Sequence, residues 1–230
     1  MCGKFTQMAS WGEVVEWSDL LKPPPALPAS SSSRAQDAAE TITPMRRANV
    51  LHLDAEGNRA MTRMRWGWSK PQPQAKYERP DHIHARAESI DTRPTFRDAF
   101  ARRRGILVVR DFNEGKPISA SKTEQHTIVP RDQKPLSIAV IWERETRAEG
   151  ELHAFVMVTV PANRLIGTIT DRMPAVIRPE DWPVWLGEEQ ASAEELKALL
   201  LPFEGDWSMA PEVKTAKPKA PRPKADLFEG

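Results

Sequence analysis

Apolar positions in this chain cluster in short runs of four to eight residues. Residues 48–53 and 61–68 flank Asp54-Ala55-Glu56-Gly57-Asn58, a turn-forming stretch, so together they read as a β-hairpin. Residues 105–112, 126–129, 137–142 and 153–160 are further strand candidates, several of them almost continuously apolar. Residues 95–104, 161–168 and 192–201 are predicted helices, the last opened by the capping-box pattern Ser192-Ala193-Glu194-Glu195. A similar box, Ser10 to Glu13, precedes Trp11, Val14, Val15, Ser18 and Leu21 at near-helical spacing. It predicts a short helix over 11–21 that ends at Pro23-Pro24-Pro25. Strands dominate the middle of the chain, with helices between and beyond them. The expected class is α+β, a mostly antiparallel sheet or open β-barrel-like core with flanking helices.

Composition refines this picture. A chain of 230 residues with 40% hydrophobic content and 8 Trp can fill one sizeable core, and its single Cys forms no internal disulfide. Proline accounts for 21 residues, nearly twice the typical ~5%, which favours loops and strand edges. One domain over 2–205 is expected, interrupted by a disordered Pro/Ser loop at 23–37 and followed by a basic, Pro-rich, disordered tail at 211–230. No run of ~18 apolar residues is present, and the first residues carry no apolar signal segment. A cytoplasmic protein with no membrane partner is expected.

The formal charge is only +1, which excludes uniform polyanion binding, but the charge is unevenly placed. Residues 59–104 hold 12 Lys/Arg against 5 Asp/Glu, whereas residues 180–206 hold 8 Asp/Glu against one Lys. Trp66, Trp68, Tyr77 and Phe96 are interleaved with the cations of the basic segment. Rings for stacking and cations for phosphates are the elements of a single-strand nucleic-acid surface. The same residues also suit a solvated helix end and core tryptophans.

Cys2 carries the most specific chemistry. Removal of Met1 would leave an α-amine, of pKa roughly 7.7–8.0, beside a thiol near 8.5 on the adjacent carbon. Such an aminothiol condenses with an aldehyde through its amine and closes a five-membered thiazolidine through its sulfur. An N-terminal nucleophile could equally attack an amide or thioester.

Several blocks carry a resemblance: Met1-Cys2-Gly3-Lys4-Phe5, Arg65-Trp66-Gly67-Trp68, Ile83-His84-Ala85-Arg86-Ala87-Glu88, the run 105–109 leading to Phe112-Asn113-Glu114, and Ile169-Thr170-Asp171-Arg172-Met173-Pro174. In order and content the chain, over about residues 2–190, resembles the SOS response-associated peptidase family, also called abasic-site processing proteins. The resemblance implies a DNA-repair protein, nucleoid-associated when bound, that captures abasic-site aldehydes in single-stranded DNA on Cys2 as a thiazolidine crosslink. It also implies a cysteine-peptidase-like autoproteolysis that exposes Cys2, lyase or crosslinking activity, no cofactor and no metal, and a monomer is expected. Carried across, Cys2 is the nucleophile and Glu114 the acid/base carboxylate. Lys4, Trp66, Trp68, Arg86 and Arg172 are DNA contacts.

The chain departs from the family pattern at four places. His84 stands where the family usually has Asn, Thr170 where it has His, Lys4 where it has Arg, and Gly115 where a Trp commonly follows the glutamate. His84 is therefore a candidate to supply the imidazole that Thr170 cannot, with Thr170 kept as a hydroxyl donor. Two other readings remain. One is a single-stranded DNA-binding module without chemistry. The other is a cupin-like metalloenzyme using His82, His84 and Glu88, with His126 or His153 as a further ligand.

Overall fold

A computed structural model describes residues 2–7, 40–69, 79–147 and 150–212. The expected helix over 11–21, the 23–37 loop and most of the 211–230 tail lie outside the described residues. Eleven strands and three short α-helices are described. The strands are β1 (Lys4–Gln7), β2 (Glu40–Ile42), β3 (Arg47–Leu53), β4 (Arg59–Trp66), β5 (His84–Arg86), β6 (Arg104–Ser119), β7 (Lys122–Pro130), β8 (Leu136–Arg147), β9 (Gly150–Pro161), β10 (Arg172–Pro174) and β11 (Trp207–Pro211). The helices are α1 (Arg97–Arg102), α2 (Trp182–Leu186) and α3 (Ala193–Ala198).

Strands β9, β4, β3, β6 and β8 close a ring in which each is bonded to the next and β8 returns to β9. Within it only the β4–β9 pairing is parallel, so the core is a five-stranded mixed barrel. The apolar runs predicted as strands line it. Residues 105–109, 136–142 and 154–160 are buried at every position, because one face fills the barrel and the other is covered. The Asp54–Asn58 turn joins β3 to β4 as expected: Asp54 Oδ1 accepts the N–H groups of Glu56 and Asn58, and Gly57 takes a positive φ.

Strand β6 is what positions the candidate site. Its first half, to Val109, pairs with β8 inside the barrel; its second half leaves the ring and pairs with β1 on one side and β7 on the other. β2 and β11 extend this second sheet from β1 and β7. Cys2, just before β1, is thereby carried alongside Asn113 and Glu114.

The helix predicted over 161–168 is a correction. Pro161 ends β9, and only a 3-10 turn at Ile166–Thr168 follows. Asn163 anchors this segment: its Oδ1 accepts from Ile166 N–H, and its Nδ2 donates to the Phe203 carbonyl. The Ala162 N–H donates to Asp171, which turns the chain back into β10 before a helix can propagate. Helix 192–201 is shorter than predicted, yet its capping box is present, with Ser192 Oγ accepting from Glu195 N–H and Glu195 Oε2 accepting from Ser192 N–H. No described helix is long and apolar enough to cross a membrane.

Candidate active site around Cys2

Cys2, Glu114 and His84 meet, although they come from the chain start, β6 and β5. Cys2 is 1% exposed and its Sγ donates to the Lys4 carbonyl at 3.4 Å. Glu114 is fully buried beside Cys2, whose backbone N–H favours its charged form. A ring N–H of His84 donates to the Cys2 carbonyl, while His84 Nε2 is buried with no hydrogen-bond partner. The peptide unit of Cys2 thus has a carboxyl beside its nitrogen and an imidazole beside its carbonyl. Phe5 and His84 both pack on Trp66, with ring centroids 5.2 and 6.1 Å away, so apolar surface walls the cluster.

That burial sets the protonation states. It lifts Glu114 to about 7, against the pull of the N-terminal ammonium and, after it, of the Cys2 N–H, both of which favour the charged carboxylate. It lowers His84 to about 4, so the imidazole is neutral at neutral pH. The Cys2 thiol is pushed well above its usual value, first by burial and then by the Glu114 charge. Among these groups, Glu114 alone is poised to exchange a proton near pH 7.

These shifts predict opposed pH dependences of stability. Glu114 holds its proton more tightly folded than unfolded, so its contribution falls as pH rises from about 4.5 to about 7. His84 binds its proton less tightly when folded, so its contribution rises from about pH 4 to about 6.5. Glu114→Gln removes the first effect. Relative to wild type, this variant should gain roughly 3 kcal/mol between pH 4 and 8, as read by urea unfolding. Parallel stability curves for the two proteins would rule the shift out.

Other predicted residues fall elsewhere. Thr170 is half-buried after the 3-10 turn, with its N–H on the Ile166 carbonyl. Its neighbour Asp171, not singled out from the sequence, raises the Glu114 pKa and so marks this loop as adjacent to the site. Arg86 is exposed on β5, two residues from His84 and on the same strand face. Lys4 is half-buried and ion-paired to Glu212.

Trp66 and Trp68 are corrections. They are 0% and 3% exposed, and their indole N–H groups donate to the carbonyls of Ile83 and Ala154. Rings sealed this way offer no face to a base. Gly67 between them adopts φ +115°, and a Cβ there would lie 2.7 Å from Pro80. Arg172 is a further correction: it is buried, forks onto Glu88 and donates to the Thr159 carbonyl, so it braces β10 against β9 and does not face a phosphate.

The basic segment is also less free than its composition suggests. Arg59, Arg63, Arg65, Arg102 and Arg103 are ion-paired to Glu188, Glu40, Glu145 and Asp98. The metal-site alternative does not assemble. Glu88 is taken by Arg172, the His82 ring packs edge-on against Phe96, and no cluster of three metal-ligating side chains occurs among the described residues. At Gly115, a Cβ would meet the Thr123 methyl at 2.6 Å, so neighbours fill the space a larger residue would need.

The chain is 26% identical over 219 residues to "Abasic site processing protein YobE" of Bacillus subtilis (strain 168), covering 94% of this chain and 95% of that one. It is 24% identical over 201 residues to "Abasic site processing protein YedK" of Escherichia coli (strain K12), covering 84% and 83%. A crystal structure of a Bordetella bronchiseptica protein superposes with TM-score 0.71 at 21% identity, over 93% of this chain and 100% of the other. The family model described as SOS response associated peptidase (SRAP) matches residues 1–217. This chain belongs to the SRAP family.

Proposed function

We propose that this protein processes abasic sites in single-stranded DNA by capturing the ring-opened aldehyde on Cys2, after its own hydrolysis of the Met1–Cys2 bond. The observation that supports this reading is the buried Glu114 carboxyl beside the Cys2 backbone nitrogen. That one atom is the leaving group when Met1 is removed and the nucleophile when an aldehyde arrives. A carboxyl titrating near 7 can protonate it in the first reaction and deprotonate it in the second.

Capture then follows ordinary aminothiol chemistry. The free amine adds to the aldehyde carbon, and the carbinolamine hydroxyl leaves as water on a proton from Glu114. Sγ adds to the resulting iminium carbon and closes the thiazolidine. Neutral His84, bonded to the Cys2 carbonyl, orients the nucleophile and is not itself the proton carrier at neutral pH. The experiment is incubation with single-stranded DNA bearing one abasic site, scored on a denaturing gel beside the same strand without the lesion. A heat-stable, lesion-dependent band supports the reading, and its absence overturns it.

Arg86 is the exposed cation nearest these residues along β5 and is proposed as a phosphate contact. Arg86→Ala should weaken binding to undamaged single strands and reduce the salt slope of log K by about 0.7. Fluorescence anisotropy at several salt concentrations reads both. An unchanged slope removes Arg86 from the interface.

A further inference from the structure

Resting on the proposed capture chemistry, the proton balance of that reaction raises a question that the second sheet answers. At neutral pH the amine starts largely as an ammonium. An ammonium, an aldehyde and a thiol give a thiazolidine, one water and one proton. The nitrogen loses two protons and the sulfur one; two leave in the water and the third must reach solvent. Reversal requires the same proton to return. Yet Cys2 and Glu114 are both buried.

His126 sits where such a proton can pass. In the β6–β7 ladder it is the direct partner of Glu114, so the two side chains share one sheet face with Cβ atoms ~4.5–5.5 Å apart. His126 is buried, and its Nδ1 has no hydrogen-bond partner. Its Nε2 lies 3.5 Å from Glu124 Oε2, and the Glu124 side chain is 45% exposed. The line Glu114, His126, Glu124 thus runs from the buried site to solvent. Among the described residues of β6, β7 and β11, Lys116, opposite Glu124, is another charged group on this face; Glu212, just past Pro211, follows on the other face and is ion-paired to Lys4.

We infer that His126 is a positioning residue that relays protons between Glu114 and Glu124. An imidazole suits this role because it can accept a proton at one nitrogen while releasing another from the second. During capture Nδ1 takes the proton from Glu114 and Nε2 gives one to Glu124; in reversal the direction inverts. The sequence alone gave no sign of this, since His126 and Glu114 meet only through strand register.

The test is single-turnover capture and reversal with the full chain and abasic single-stranded DNA. His126→Gln should slow both directions by about tenfold, below the usual range for a direct acid–base group because Glu114 remains. It should also enlarge the solvent deuterium isotope effect, and imidazole buffer should restore the rate. Wild-type rates in His126→Gln would overturn the relay, as would slow rates that imidazole does not raise, since a structural role is not rescued by buffer. Should His126→Gln fail to fold, Glu124→Gln at the surface decides: slowing by about threefold that acetate reverses supports the relay, and an unchanged rate overturns it. Absence of any wild-type adduct is a separate result that refutes the capture reading itself.

Discussion

Cys2→Ala protein mixed with abasic single-stranded DNA should leave the oligonucleotide at its free mobility on a denaturing gel after heating, where wild type leaves a shifted band. The substitution removes one sulfur and keeps the α-amine. Amine alone reaches the imine, which water reverses; only the sulfur closes the ring that survives heat. Loss of the stable adduct should therefore be complete. Cys2→Ser tests the same logic from the other side, since its hydroxyl is a poor ring-closing nucleophile beside a thiol. It should give a labile imine that borohydride traps. The fold should tolerate both changes, because Cys2 lies at the edge of the core, before β1, and its sulfur makes one long hydrogen bond to the Lys4 carbonyl. An undiminished heat-stable adduct in Cys2→Ala would remove Cys2 from the chemistry.

The parts of the fold legible in the sequence are those where burial is repeated over many residues. Runs such as 138–142 and 154–158 are apolar throughout because both faces of β8 and β9 are covered, and such runs have few alternatives. The capping box at Ser192 was legible because two local hydrogen bonds define it. β5 and β10 were not, each having three residues whose extended form comes from pairing with β9. α2 escaped for a related reason: Trp182-Pro183-Val184-Trp185-Leu186 has little helical pattern of its own, and buried Trp185 fixes it by donating to the Gly105 carbonyl.

The site divides along the same line. Cys2 and Glu114 could be named from chemistry and motif, but their convergence depends on β6 leaving the barrel to pair with β1. Trp66 and Trp68 were misassigned because composition does not reveal which way a ring faces. An indole among arginines looks the same in a sequence whether it stacks on a base or on Phe155, as Trp66 does at 6.4 Å. Arg172 was misread similarly, its partner Glu88 lying far away in sequence. His84 could be singled out as a replacement imidazole, yet its place near Cys2 and the consequence of its burial, a ring held neutral at pH 7, are properties of the fold.

Glu114→Gln should slow capture and reversal together. The amide matches the carboxyl in size and can still bond to the Cys2 amine, so geometry is kept while the transferable proton is lost. Both directions cross the same step, the gain or loss of water at the carbinolamine, so a group acting there must affect both. General acid–base catalysis is worth ~10²–10⁴-fold. Capture should fall near the lower end, about 100-fold, because an aminothiol reacts with aldehydes unaided. Reversal should fall further, because the closed ring must be protonated before it opens. The pH profile sharpens the test. Wild-type rates should inflect near the Glu114 pKa of about 7, and this inflection should vanish in Glu114→Gln. Formate or acetate should partly restore Glu114→Ala, where the missing side chain leaves room for a small carboxylate. Unchanged rates in both directions would reduce Glu114 to a buried polar residue beside the Cys2 backbone, and would leave Cys2 to react without help.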